Sequence, residues 1–425
     1  MSRGRPRNRG RSARPAPPPK RMTVTIDALG HHGDGIVRGD PPIYVPRTLA
    51  GETVDIEVSG SRATLLAVKT PSPDRVEPPC PHFGSCGGCA LQHMAEPAYR
   101  AWKRELVLAA LTARGFATPI DSLISARPHT RRRAVLSAEA RGRSLALGYH
   151  ERSSHSLVDI QSCLVLTPGL EALLPALRTL AKPFQAKGGL RLTVTETETG
   201  IDLAIEGGRE PDPTALATLT ETMHTAGIAR LSHDGEAVIM LTEPVVAIGP
   251  ARVGLPPAAF LQATQDAEHA LADHVTAAAA GAKSAVDLFS GLGTFALRLA
   301  QDRPVHMVES ERALVEAGQA AARRTSGLKQ VTGEVRDLFT FPLATRELDR
   351  YDLVVFDPPR AGAAAQAAEI AACKAKTVVA VSCNPATLAR DLRSLVDGGY
   401  RIETVTAVDQ FLYAPHIEVV AVLRR

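Results

Sequence analysis

From about residue 266 to its end, this 425-residue chain alternates short apolar runs with helical patterns, and that alternation restricts the fold more than any other feature. Apolar, β-branched runs bounded by turn signals read as buried strands. Strands separated by helices pack as a parallel sheet with helices on its faces. The pattern predicts strands at 284–289, 304–308, 328–333, 352–356, 377–382, 403–408 and 417–423. Only a short loop joins the last two, which predicts an antiparallel end to an otherwise parallel sheet. Such sheets bind ligands outside the carboxyl ends of their strands. The residues that follow each run are therefore the ones to read for chemistry.

The run Val286-Asp287-Leu288-Phe289 leads into Ser290-Gly291-Leu292-Gly293-Thr294. Gly291 and Gly293 let the chain turn tightly and approach a ligand closely. The third glycine of a dinucleotide fingerprint is missing, because Ala296 stands there. The next run ends in Glu309, and a carboxylate at that place accepts hydrogen bonds from ribose hydroxyls. Phosphate-binding lysines are absent, so the loop and the carboxylate favour S-adenosylmethionine over a nucleoside triphosphate. A fourth run ends in Phe356-Asp357-Pro358-Pro359-Arg360. The two prolines fix the backbone and hold the Asp357 carboxylate rigidly at the crevice, where it suits a planar base.

The run 377–382 stops abruptly in Ser382-Cys383-Asn384-Pro385. A cysteine in a polar, partly exposed strand end can act as a reactive thiolate. Glu418 opens the last run and can face the same crevice. Together they suit one reaction. Uracil C5 is too weak a nucleophile to take a methyl group from S-adenosylmethionine. A thiolate added at C6 gives C5 carbanion character, and a base must then remove the C5 proton. Cys373 lies in a helical pattern and reads as packing.

The N-terminal half is organised differently. Residues 1–21 hold eight Arg and Lys and no acid, so a total net charge of +4 leaves −4 for the remainder. This tail is too polar to bury a core and reads as disordered. It is either an electrostatic arm for RNA phosphates or a solubilising extension. Short alternating runs with glycine turns over 22–70 predict a small β-barrel. Its pieces 29–36 and 45–52 resemble a TRAM domain, an OB-like RNA-binding barrel. A proline-rich linker follows, then a helix over 97–114 and a mixed α and β stretch over 125–265. Cys80, Cys86 and Cys89 have the spacing C-x5-C-x2-C among glycines, with Cys163 further on. Four thiolates suit a [4Fe–4S] cluster or tetrahedral zinc, and the absence of a second C-x2-C pair favours the cluster. No apolar run approaches the length of a membrane span, so a cytoplasmic protein is expected.

These motifs together resemble the RNA uracil-C5 methyltransferase family over residues 22–425, including the element Phe260-Leu261-Gln262. The resemblance implies an α/β multidomain protein: a basic tail (1–21), a TRAM domain (22–70), a central RNA-binding domain with an Fe–S cluster (76–255) and a class I, Rossmann-like methyltransferase domain (256–425). It implies Cys383 as nucleophile and Glu418 as base. Gln262, Phe289, Gly291, Gly293, Thr294, Glu309, Asp337 and Asp357 become S-adenosylmethionine contacts, and Cys80, Cys86, Cys89 and Cys163 become cluster ligands. Thr264 departs from a common Asn. The implied partner is RNA, held in part by Arg131, Arg132 and Arg133, with the target uridine flipped out of its stack; the protein is expected to be a monomer. The cluster and TRAM features favour a uridine of 23S rRNA. The T-loop uridine of tRNA is the alternative, and an Fe–S RNA-binding protein without catalysis is the alternative of another class.

Overall fold

The computed structural model describes residues 20–142 and 144–425. The expected disordered tail therefore lies outside the described residues, except for Lys20 and Arg21. These two open the first strand, Lys20–Thr25, where Arg21 pairs with Glu57 across the sheet. The chain divides into two compact units, one ending at Val76 and the other spanning Glu77–Arg425.

The first unit is a six-stranded sheet in the order Lys20–Thr25, Thr53–Ser59, Arg62–Thr70, Ile43–Pro46, Asp34–Val37, Ala28–Leu29. Its core is small: Ile26, Val45, Val54, Ile56 and Ala63. Glu52, fully buried, accepts from the Leu49 and Ser72 amides and pairs with Arg75. The first residues of the proline-rich linker thus dock back onto the sheet. Gly35 is required for packing, since a Cβ there would lie 2.1 Å from the Thr48 hydroxyl.

The second unit holds two large sheets. The seven-stranded sheet runs Leu157–Asp159, Ser144–His150, Arg133–Arg141, Leu190–Thr197, Gly200–Glu206, Ile228–His233, Glu236–Met240. One face, with Leu136, Leu192, Val194, Leu203 and Leu231, packs against helices Leu174–Ala181 and Leu216–Ala226. The eight-stranded sheet runs Val331–Val335, Val305–Glu309, Ala285–Leu288, Leu353–Phe356, Thr377–Ser382, Glu418–Arg424, Arg401–Asp409, Ser122–Ser125. Its pairings are parallel except for the two made by Glu418–Arg424. Alternate residues of each strand enter two different cores. Val354, Val378 and Val419 face one, while Val355, Val379 and Val420 face the other. Burial on both faces is why these strands read as unbroken apolar runs rather than alternating ones.

The sequence divides residues 76–255 from 256–425, but the structure knits them together. Ser122–Ser125, absent from the predicted strands, adds in parallel to Arg401–Asp409. Helix Glu96–Thr112 packs on helix Pro385–Asp397. Beneath the loop after Arg401–Asp409, Lys103 donates to Asp409 at 2.7 Å and also to the His416 carbonyl, while the Tyr99 hydroxyl donates to the other Asp409 oxygen at 2.5 Å. Lys103 and Asp409 are wholly buried. No helix among the described residues is long and apolar enough to cross a membrane.

Removing one partner of a buried ion pair leaves the other charge uncompensated. Asp409→Ala is expected to lower stability by about 3–5 kcal/mol, read as a lower urea midpoint at unchanged slope.

Candidate active site

The eight-stranded sheet gathers the predicted residues at one edge. Strand Thr377–Ser382 ends where Cys383 turns the chain into helix Pro385–Asp397. Asn384 caps that helix by accepting from the Ala386 amide, and its own amide donates to the Arg360 carbonyl at 3.0 Å. Pro385 sits at the helix start, where its missing N–H costs nothing. The Asn-Pro of the motif therefore fixes the turn that presents Cys383 and ties it to the Asp357–Arg360 loop. Because strand Glu418–Arg424 runs the other way, it begins where its neighbours end. Val419 lies opposite Ser382, and Glu418 lies opposite Val408. Cys383 and Glu418 meet for that reason.

The glycine loop follows strand Ala285–Leu288. Phe289 has φ +60°, a left-handed conformation that a bulky residue adopts only when its surroundings impose it. Its ring packs on Phe339 at 5.5 Å between centroids. Gly291 has φ +54° and donates its amide to Glu309 at 3.0 Å, and Gly293 has φ +90° against the Met307 side chain. Asp287 accepts from the Ala296 amide with one oxygen. Its other oxygen and the Ser290 hydroxyl are buried without a partner among the described residues. The Asp337 carboxylate holds its own loop, accepting from the Phe339 amide and the Thr340 hydroxyl. Thr294 lies on the loop, with its carbonyl bound by Arg298. Thr264, the departure from Asn, caps helix Gln265–Ala278.

Gln262 connects this side to Glu418. Its amide donates to Asp357 at 3.3 Å, and its carbonyl oxygen accepts from Gln410 at 2.5 Å. The same Gln410 nitrogen donates to Glu418 Oε1 at 3.0 Å. Glu418 Oε2 has no partner among the described residues. Gln410 carried no local sequence signal, because its partners lie 148 residues upstream and eight downstream. Asp287 was visible only as part of a strand.

The electrostatics are those of crowded acids in a dry site. Burial pushes Glu418 up to about 8, with Asp357 adding to the effect and the Gln410 hydrogen bond and Arg360 opposing it. Burial raises Asp287 to about 8 as well. Asp357 is pushed up to about 7, also by burial, but it keeps a partly open face, so that shift is the smaller constraint. The Cys383 thiol rises to about 11, through burial first and then Glu418 and Asp357, against a downward pull from Arg360.

The three arginines expected to face RNA each have partners inside the protein. Arg132 pairs with buried Glu268, which Arg298 also binds, and donates to the Gln262 carbonyl. Arg133 donates to the Ala258 and Ala259 carbonyls and lies over the Phe260 ring. Arg131 lies over Phe411 and donates to the Arg133 carbonyl. Arg132 is thus a brace for the Gln262 segment rather than an open RNA contact.

Cys80, Cys86, Cys89 and Cys163 line one cavity of about 210 Å³, shared with Arg131, Arg360 and Phe411. The Gly88 amide points at the Cys86 sulfur at 3.4 Å. Burial, reinforced by the other thiols, pushes Cys89 up to about 12. Thiolates here call for a cationic partner. Among the described residues, no group of three His, Cys, Asp or Glu side chains is arranged to hold a metal ion.

A negative charge on Glu418 disfavours the neighbouring thiolate and so raises the Cys383 thiol, as burial does. Glu418→Gln is therefore expected to move the pH midpoint of Cys383 alkylation by iodoacetamide downward. An unmoved midpoint would contradict the coupling.

The model of the tRNA (uracil-5-)-methyltransferase family matches residues 257–425. An uncharacterised RNA methyltransferase of Rhizobium meliloti is 46% identical over 411 residues, covering 95% of this chain and 99% of its own length. The 23S rRNA (uracil(1939)-C(5))-methyltransferase of Pectobacterium atrosepticum is 34% identical over 435 residues, covering 97% of this chain and 96% of its own. Among solved structures, the Pyrococcus abyssi tRNA (uracil-54, C5)-methyltransferase in complex with S-adenosyl-L-homocysteine matches with a TM-score of 0.72 at 23% identity, covering 95% of this chain and all of that one. That likeness is one of fold. With relatives this similar aligned over nearly their full length, the chain belongs to the RNA uracil-C5 methyltransferase family.

Proposed function

We propose that this enzyme methylates C5 of a uridine in 23S rRNA with S-adenosylmethionine, through a covalent adduct of Cys383 and proton removal by Glu418. The observation that carries the reading is the register of the antiparallel last strand, which brings Glu418 level with the Cys383 turn. S-adenosylmethionine supplies an electrophilic methyl group on a cationic sulfur. The unpartnered Asp287 oxygen and Ser290 hydroxyl fit such a polar, cationic ligand, as do the surrounding carboxylates. Gln262, Phe289, Gly291, Gly293, Thr294, Glu309, Asp337 and Asp357 are its proposed contacts. Glu309 accepts from the Gly291 amide with one oxygen and from the Ser310 amide and hydroxyl and the Glu311 amide with the other, so a ribose hydroxyl would take the place of one of these donors.

Cys383 adds through sulfur to C6 and passes its thiol proton to solvent water as the S–C6 bond forms, which its partly exposed position allows. The electron density gained at C5 takes up the methyl group. Glu418 then accepts the C5 proton, and the Cys383 sulfur leaves. The target base enters extruded from its stack. Arg131 and Arg133 remain proposed RNA contacts, as does the N-terminal sheet, read as a TRAM-like, OB-like barrel. The C-terminal sheet is read as a class I, Rossmann-like methyltransferase domain. The setting proposed is the cytoplasm.

The reading includes a [4Fe–4S] cluster, and what supports it is that four cysteines line one cavity. Protein purified without air is expected to hold iron and sulfide four to one chain with broad visible absorbance, and Cys163→Ser to lose it; a colourless zinc protein would contradict this. The substrate is tested by labelled methyl transfer to unmodified 23S rRNA and, separately, unmodified tRNA. Label as 5-methyluridine in 23S rRNA alone is expected. Label in tRNA alone would keep the chemistry and overturn the substrate, and label in neither would favour an Fe–S RNA-binding protein.

A further inference from the structure

We infer that Gln410 is a positioning residue that fixes which oxygen of Glu418 acts as the base, and that it does so through a carboxamide chain running from the cofactor side of the site. The inference rests on the proposed uracil chemistry.

An amide side chain can usually flip, but this one is pinned. The Ala263 backbone N–H donates to Gln410 Oε1 at 2.6 Å. Its Nε2 must then face the other way, where it donates to both Gln262 Oε1 and Glu418 Oε1. Because Gln262 presents its oxygen to Gln410, its own nitrogen must face Asp357. A single backbone amide therefore sets the sense of the whole chain Asp357–Gln262–Gln410–Glu418. Gln262, Gln410 and Glu418 are buried at 4%, 2% and 3% exposure, so water does not compete for these bonds.

The arrangement treats the two Glu418 oxygens differently. Oε1 is held by Gln410, and Oε2 is buried with no partner among the described residues. A buried carboxylate oxygen without a donor is costly, and that cost falls on the atom a proton acceptor would use. In the step itself, the C5–H bond breaks and the proton passes to Glu418 Oε2. The C–H electron pair forms the C5–C6 double bond, and the C6–S bond breaks with its pair leaving on the Cys383 sulfur. The Gln410 N–H stabilises the ionised carboxylate before transfer.

The test is a single turnover on RNA tritiated at uracil C5, with labelled S-adenosylmethionine, comparing wild type with Gln410→Met over the neutral to alkaline range. Gln410→Met keeps chain length and removes both donor bonds. Relative to methyl incorporation, tritium release is expected to slow by about tenfold to a hundredfold, the range for a hydrogen bond to a charged group. The pH midpoint of release should move upward, because a bond that favours the ionised form is gone. Gln410→Glu keeps an acceptor for Ala263 and should show the same lag, which covers the case where Gln410→Met does not fold. Tritium release that keeps pace with methyl incorporation in both variants would overturn the inference, as would equal slowing of both with an unmoved midpoint. A wild-type enzyme that released no tritium at all would instead refute the uracil chemistry on which the inference stands.

Discussion

The reversal of the last strand is the constraint on which the site depends. Were Glu418–Arg424 parallel to its neighbours, its first residue would lie at the far edge of the sheet, away from Cys383. Antiparallel pairing places Glu418 at the carboxyl edge, opposite Val408 and one residue beyond the Val419–Ser382 pair. The same hairpin carries Gln410 at its turn. Below that turn, the buried Lys103–Asp409–Tyr99 network anchors the loop to helix Glu96–Thr112. The Tyr413 carbonyl accepts from the Ala90 and Leu91 amides, so the loop also meets the cysteine-bearing segment. One strand reversal thus connects Cys383, Glu418 and the cysteine cavity.

The site is not arranged for stability. Asp287, Asp357 and Glu418 are all raised by burial, and Arg360 supplies an opposing charge to Cys383 and Glu418. A carboxyl group whose folded pKa exceeds its unfolded value destabilises the fold as pH rises from the unfolded value, 3.8 to 4.5 here, toward the folded one near 7 to 8. A cationic ligand relieves this strain, so the energy withheld from folding is available for binding. The strained Phe289 backbone belongs to the same economy.

Much of the sheet was legible because strands buried on both faces leave unbroken apolar runs. The motif residues stood out because each follows such a run. Ser122–Ser125 escaped notice because four residues at the sheet edge carry too little pattern to signal a strand. Gln410 escaped because its meaning lies in contacts with Gln262 and Glu418 that only the fold creates. The arginine triplet misled in part: charge density suggested an RNA face, yet Arg132 serves Glu268 and the Gln262 carbonyl. Sequence shows the charge of a side chain, not the partner that will neutralise it.

The central claim is that Cys383 forms a bond to the substrate that Glu418 is needed to release. The direct measurement is to mix Glu418→Gln with S-adenosylmethionine and the RNA that the wild type methylates, and to separate the products under denaturing conditions. Mass spectrometry of the digested adduct should find methylated uridine on Cys383. No adduct, or one attached through another residue, would contradict the account.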